Sequence, residues 1–161
     1  MKRKTVVADA STLIGLSRIE QLNLLREIYG EVIIPQSVYD EVATESKLGS
    51  EKIKTAKYLK VEKVSDNKAI ELFLGYLGRG EAEVLTLSKE KKADLILIDE
   101  KKARKVARRA GFEVIGVLGL LLEAKNMGLI PAVKPFIEEL NKQGFRLSKK
   151  VNERALKEAG E

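Results

Sequence analysis

Apolar and polar positions along this chain follow two rhythms. Short β-rich runs at residues 5–8, 31–34, 61–64, 95–98 and 113–117 are separated by longer amphipathic stretches. The stretches carry apolar residues at the spacing of a helical face. They predict helices over residues 12–29, 36–45, 50–58, 67–91 with a break at Gly78-Arg79-Gly80, 101–110 and 118–128. Beyond Pro131 the pattern is wholly helical, over 133–143 and 149–159, with Lys142-Gln143-Gly144-Phe145 as a stop and Ser148 as a cap. Strands alternating with helices imply βαβ units and a parallel sheet covered on both faces. The expectation is a three-layer α/β/α sandwich with a five-stranded parallel sheet plus C-terminal helices. We read residues 1–161 as one domain, with an α/β core at about 1–128 and a helical extension at about 129–161.

Two of the apolar runs end in an acid. Asp9 closes Thr5-Val6-Val7-Ala8, and Asp99 closes Leu95-Ile96-Leu97-Ile98. In open α/β sheets ligands bind beyond the carboxyl ends of strands, near the point where strand order reverses. If the first and fourth strands are neighbours, both carboxylates fall on one edge. Glu41 borders the apolar stripe of its segment between Val38 and Val42. Glu81 follows Gly80 and shares a helical face with Val84, Leu85 and Ser88, whereas Glu83 projects to the other side and is the expected solvent residue.

Each acid also has an ordinary structural use. Asp9 could cap the following helix, although Ser11 could do so and release it. Ser37 with Asp40 makes a loose capping box that does not need Glu41. Glu81 could simply favour a helix N-terminus, and Asp99 could be a helix cap.

Composition narrows the chemistry. The chain has no histidine and no cysteine, which removes imidazole and thiolate catalysis, disulfides and zinc–thiolate sites. A carboxylate cluster with a hard divalent cation, Mg²⁺ or Mn²⁺, is what remains. Two such ions about 3.5–4 Å apart can activate water and stabilise a leaving oxygen in phosphoryl displacement. The net charge of +6 and pI near 9.4 surround this acidic centre with basic surface. Much of the excess follows Asp99-Glu100, where Lys101, Lys102, Arg104 and Lys105 are candidate phosphate contacts. The bland reading of these side chains is a solvated, lysine-rich face. Asp9 interrupts the N-terminal apolar stretch, which argues against a signal peptide, and the longest apolar or glycine run, 114–122, is too short to cross a bilayer. A cytoplasmic protein is expected, with no membrane contact.

Taken in order, Val6-Val7-Ala8-Asp9-Ala10-Ser11, Pro35-Gln36-Ser37-Val38-Tyr39-Asp40-Glu41-Val42, Gly80-Glu81-Ala82-Glu83 and Leu95-Ile96-Leu97-Ile98-Asp99-Glu100 resemble the PIN-domain family of metal-dependent ribonucleases. The resemblance covers about the first 120 residues, and the tail is similar to an uncharacterised PIN-like subfamily of archaea and bacteria. It implies a five-stranded parallel sheet, an acidic Mg²⁺/Mn²⁺ pocket and cleavage of single-stranded or structured RNA. Many members are toxins of VapC-type toxin–antitoxin pairs, so a small antitoxin is an implied partner.

Carried over by residue, Asp9, Glu41, Glu81 and Asp99 match the family's catalytic and metal-binding acids, and Ser11 matches its small polar residue. The family commonly has Asp at the third acid, so Glu81 is a departure. Glu100 adjoins the fourth acid and could share its role. The apolar segments 117–122 and 129–137 fit either core or a homodimer interface.

Other readings stay open on sequence. A haloacid-dehalogenase-like phosphohydrolase would use Asp9 as nucleophile, but it normally needs an acid where Ser11 stands. A receiver-like domain lacks its paired acids. A PIN-like RNA-binding or interaction module without catalysis would share the fold.

Overall fold

The computed structural model describes residues 3–44, 50–145 and 147–161. Five strands form a single all-parallel sheet: β1 (Val6–Ala8), β2 (Val32–Pro35), β3 (Leu59–Glu62), β4 (Leu95–Leu97) and β5 (Val114–Ile115). Their spatial order is β3-β2-β1-β4-β5, with helices flanking the sheet as the alternation predicts. Successive crossovers build outward from β1 to β3. The chain then returns to lay β4 against the other side of β1, so strand order reverses between β1 and β4. The register there is Val6↔Leu95, Val7↔Ile96 and Ala8↔Leu97, and Asp9 N donates to Leu97 O at 3.0 Å.

The central strands are apolar on both faces because both are covered. β1 and β4 are buried at every position, and β2 at all but Ile33. β3 is an edge strand and buries only Leu59; Lys60 and Val61 are exposed, and Glu62 pairs with Lys91 at 2.8 Å. The expected third strand, 61–64, therefore lies too late in sequence. Pairing with β2 sets Leu59 opposite Val32 and Val61 opposite Ile34, and Val64 falls beyond the ladder.

Between strands run α1 (Ala10–Arg18), α2 (Leu24–Tyr29), α3 (Gln36–Thr44), α4 (Ser50–Thr55), α5 (Asn67–Leu74), α6 (Arg79–Lys91) and α7 (Lys101–Arg109). After the sheet come α8 (Val117–Asn126), α9 (Lys134–Lys142) and α10 (Lys149–Glu158). The helix expected over 12–29 is two helices. Glu20 adopts a left-handed conformation with φ 57°, which breaks the ladder while Ile19 and Leu22 continue the buried stripe. Glu45, the expected end of the third helical segment, lies outside the described residues.

The helices after the sheet share its core. Ile137, Leu140 and Ala155 belong to the same core cluster as the strands. Pro135 occupies the first turn of α9, and the free amides beside it, Val133 N and Lys134 N, donate to the Glu161 carboxylate at 2.8 and 3.0 Å. Lys125 on α8 reaches the same carboxylate at 3.0 Å and also donates to Ala159 O.

Those amides, with Lys125, hold the Glu161 carboxyl down at about 2, below its ordinary 4.5. The ionised form is thus favoured by folding, and its contribution is full above pH 4.5 and fades as the pH falls toward 2. Glu161→Gln is expected to lower the urea midpoint at pH 7, with the gap to wild type closing between about pH 4.5 and 2. A gap independent of pH would contradict this clamp.

Candidate metal centre

β1 and β4 end side by side, and each delivers an aspartate to the same edge. Asp9 is 3% exposed and serves as the N-cap of α1, with Oδ1 accepting from Thr12 N at 2.9 Å. Ser11 does not take over the cap, as the sequence had allowed. Its hydroxyl donates to Asp9 Oδ2 at 2.9 Å, so capping and site duty coincide in one carboxylate.

Asp99 is not a helix cap for α7. Glu100 fills that position, its two oxygens accepting from Lys102 N at 3.1 Å and Ala103 N at 2.8 Å. Asp99 instead accepts from Val117 N at 3.0 Å on Oδ1 and from the Thr12 hydroxyl at 2.8 Å on Oδ2.

Two residues that carried no signal in sequence hold this pair. Thr12 is fully buried and donates its amide to Asp9 and its hydroxyl to Asp99, joining the two acids through one side chain. Gly116 passes so close to Asp99 that a Cβ there would overlap Oδ1. The fifth strand ends at Ile115 and not at 117 for the same reason: the chain turns at Gly116 and starts α8, whose first amide goes to Asp99. The N-termini of α1 and α8 therefore both bear on the acid pair, and helix N-termini favour negative charge.

Even so, burial dominates. Desolvation, then the neighbouring Asp99 charge, pushes Asp9 up to about 6, against the opposing hydrogen bonds from Thr12 and Ser11. Asp99 is raised as well, chiefly by desolvation, with Val117 N, Thr12 and the Arg104 guanidinium working the other way.

The other acids are placed differently. Glu41 is exposed on α3. Glu81 is partly buried at the third position of α6, where its carboxylate turns back to accept from Gly78 N at 2.9 Å. Glu83, expected in solvent, is 6% exposed; it accepts from Ser37 N at 3.3 Å and pairs with Arg79 at 3.1 Å. Helical projection failed here because α6 is enclosed almost all round: every residue from Ala82 to Ser88 is buried.

Glu83 lines a separate cleft of about 270 Å³ with Gln36, Asp40, Lys63, Asn67 and Arg79. Among the described residues no three acids are grouped closely enough to hold one ion. The structure thus gathers Asp9 and Asp99 and leaves Glu41 and Glu81 outside the pair.

Lys101, Lys102 and Lys105 are exposed on α7 and Arg104 is half-buried. Arg104 is the one whose charge acts on Asp99, and its Nε is buried without a hydrogen-bond partner in the protein. The DUF3368 family model, described as a PIN domain, matches residues 5–161.

The chain belongs to the PIN-domain family.

PIN domains are generally nucleases and typically use divalent metals, and the family suggests RNA binding. No curated protein matches this PIN domain. No helix among its described residues is long and apolar enough to cross a membrane. Its acid pair suits a small dication chemically. Asp9 and Asp99 offer hard oxygens, and each oxygen accepts one protein hydrogen bond while retaining further lone-pair capacity.

Without metal, Asp9 holds its proton more tightly folded (about 6) than unfolded (3.8). Below pH 3.8 both forms are protonated and nothing is lost; stability declines from there to about 6 and the full cost applies above it. Asparagine keeps the cap without that cost. In EDTA, Asp9→Asn is expected to be more stable than wild type at pH 7.5 by on the order of 2–3 kcal/mol, an advantage that vanishes below about pH 4. Urea unfolding across pH measures this, and a less stable variant at pH 7.5 would contradict it.

Proposed function

We propose that this PIN domain is an endoribonuclease dependent on Mg²⁺ or Mn²⁺, with Asp9 and Asp99 as the acids that hold the ion. The observation that carries the reading is the aspartate pair at the strand-order reversal, Asp9 buried and Asp99 half-buried, joined by Thr12 and reluctant to ionise without a counter-charge. Perturbed acids assembled in one place at a ligand-binding edge are a common mark of a functional site. When bound, the ion supplies an activated water and neutralises charge on the reacting phosphate.

The chain's own groups position everything else. Thr12, Ser11 and Val117 N fix the carboxylate rotamers, and Gly116 leaves Asp99 room to take its place. Arg104 lies close enough to affect Asp99 and is suited to a phosphate oxygen at the reacting position. Lys101, Lys102 and Lys105 would engage flanking phosphates. Glu41 and Glu81 are proposed as the remaining acids, acting through the water shell that Mg²⁺ tends to retain. Glu100, with both oxygens committed to the α7 cap, is a weaker candidate ligand. A toxin role with a small antitoxin follows from the family resemblance; a homodimer and a cytoplasmic setting belong to the same proposal.

A second reading has one observation in its favour. Because no third acid joins the pair among the described residues, a PIN-like module that binds RNA without cutting it fits the same fold. A phosphomonoesterase is favoured less, since Ser11 stands where its acid/base would be and is hydrogen-bonded to Asp9.

Incubating mixed RNA with the protein separates these readings. Cleavage is expected in Mn²⁺ or Mg²⁺, abolished by EDTA and reduced at least about a hundredfold by Asp99→Asn, as for loss of a direct metal contact. Binding without cleavage supports the non-catalytic module. Hydrolysis of a generic phosphomonoester with intact RNA would support the phosphatase.

A further inference from the structure

The chain has four tyrosines, four phenylalanines and no tryptophan. Tyr29 is buried, and Tyr39, Tyr58, Phe73, Phe112, Phe136 and Phe145 all pack against the core. Tyr76 alone is exposed, at 53%. It sits in the short connection between α5 and α6, and its position is not loose. Tyr76 N and Leu77 N both donate to Phe73 O, at 2.9 and 2.7 Å, and Leu77 is anchored in the interior.

Lys102 Nζ lies 4.2 Å from the Tyr76 ring centroid. Lys102 belongs to the first turn of α7, its amide bound to Glu100, three residues beyond Asp99. The exposed ring therefore stands within one lysine side chain of the segment that carries Asp99. That segment opens the most basic helix of the protein: six of its nine residues are Lys or Arg.

An aromatic face beside cations and a phosphate-attracting helix is the chemistry of a base-stacking subsite. Stacking on an aromatic side chain tolerates any base, because every base offers a π-face, but it requires a base that is not enclosed in a duplex. We propose that Tyr76 and Lys102 form a platform that receives an unpaired nucleotide of the polynucleotide, next to the Asp9–Asp99 centre. This rests on the nuclease reading for the identity of the ligand and adds to it which part of the strand is gripped, and by what. Lys102, which lies over the Tyr76 ring in the free protein, moves off it to meet a neighbouring phosphate, the base takes its place on the ring, and the strand continues along α7. Charge favours this occupant over a protein one. Leu72, 84% exposed on α5, is the feature that would suit a protein partner, but the helix that reaches the ring, α7, is strongly cationic.

The test is fluorescence anisotropy in EDTA, where no cleavage interferes, using a short fluorescent oligoadenylate RNA alone and annealed to its complement. Tyr76→Ala is expected to weaken single-strand binding roughly five- to hundredfold while leaving the duplex little changed, and Tyr76→Phe to bind within about twofold of wild type. Lys102→Gln should reduce the slope of log affinity against log salt by about 0.7, the share of one phosphate on a single strand.

Unchanged affinity in Tyr76→Ala overturns the platform, as does an equal loss for strand and duplex. Wild-type protein that fails to bind the strand overturns it too. If light scattering shows a homodimer that Tyr76→Ala dissociates while RNA affinity holds, the ring belongs to a protein interface. None of these outcomes depends on turnover. Cleavage with an indifferent Tyr76 sinks the platform alone, and strand binding through Tyr76 without cleavage sinks the nuclease alone.

Discussion

Two carboxylates placed beside one another and partly stripped of water are the constraint around which the centre of this protein is arranged. Asp9 and Asp99 reach the same edge because β1 and β4 are neighbours, and they are neighbours because the chain reverses its direction of sheet building there. Placing them together with reduced access to water is unfavourable, and the surrounding structure offsets part of that cost. α1 begins on one acid, α8 begins on the other, and Thr12 donates to both. The short fifth strand and the absence of a side chain at position 116 follow from the same demand. What the hydrogen bonds do not offset is visible in the raised proton affinity of both acids. Residual unfavourable charge of this kind is what a bound cation would relieve.

The layers of the fold were legible in sequence because a parallel sheet covered on both faces writes continuous apolar strands between amphipathic helices. The edge strand was displaced by two residues because Val61 is exposed on it and its only buried residue, Leu59, lies before the expected run. The break between α1 and α2 was hidden because the buried stripe continues through Glu20's left-handed turn.

At the site, the two strand-terminal aspartates could be read from position alone. Their supports could not. Thr12 looks like any first-turn residue, and Gly116 like any glycine before a helix, until Asp99 is placed beside them. Glu81 and Glu83 were assigned to opposite sides by helical projection, which presumes one dry face and one wet face. α6 has no wet face through its middle, so the buried acid is Glu83 and the capping acid is Glu81.

The electrostatic layout separates two tasks expected of a PIN domain. The acids sit at the sheet edge, Asp9 buried and Asp99 half-buried, while the positive charge is carried outward by α7, which starts just after Asp99. Arg104 is the bridge between these zones, half-buried and acting on Asp99. A polyanion would be drawn by the outer helix and repelled by the bare acids, so a dication at the pair would reconcile binding with chemistry.

Carbon-13 NMR of the aspartate side chains, followed across pH with and without Mg²⁺, tests this account most directly. Asp9 is expected to titrate near 6 in the metal-free protein and to stay ionised to markedly lower pH once Mg²⁺ is added. An Asp9 carboxylate that titrates near the ordinary 3.8 without metal, or one indifferent to Mg²⁺, would contradict it.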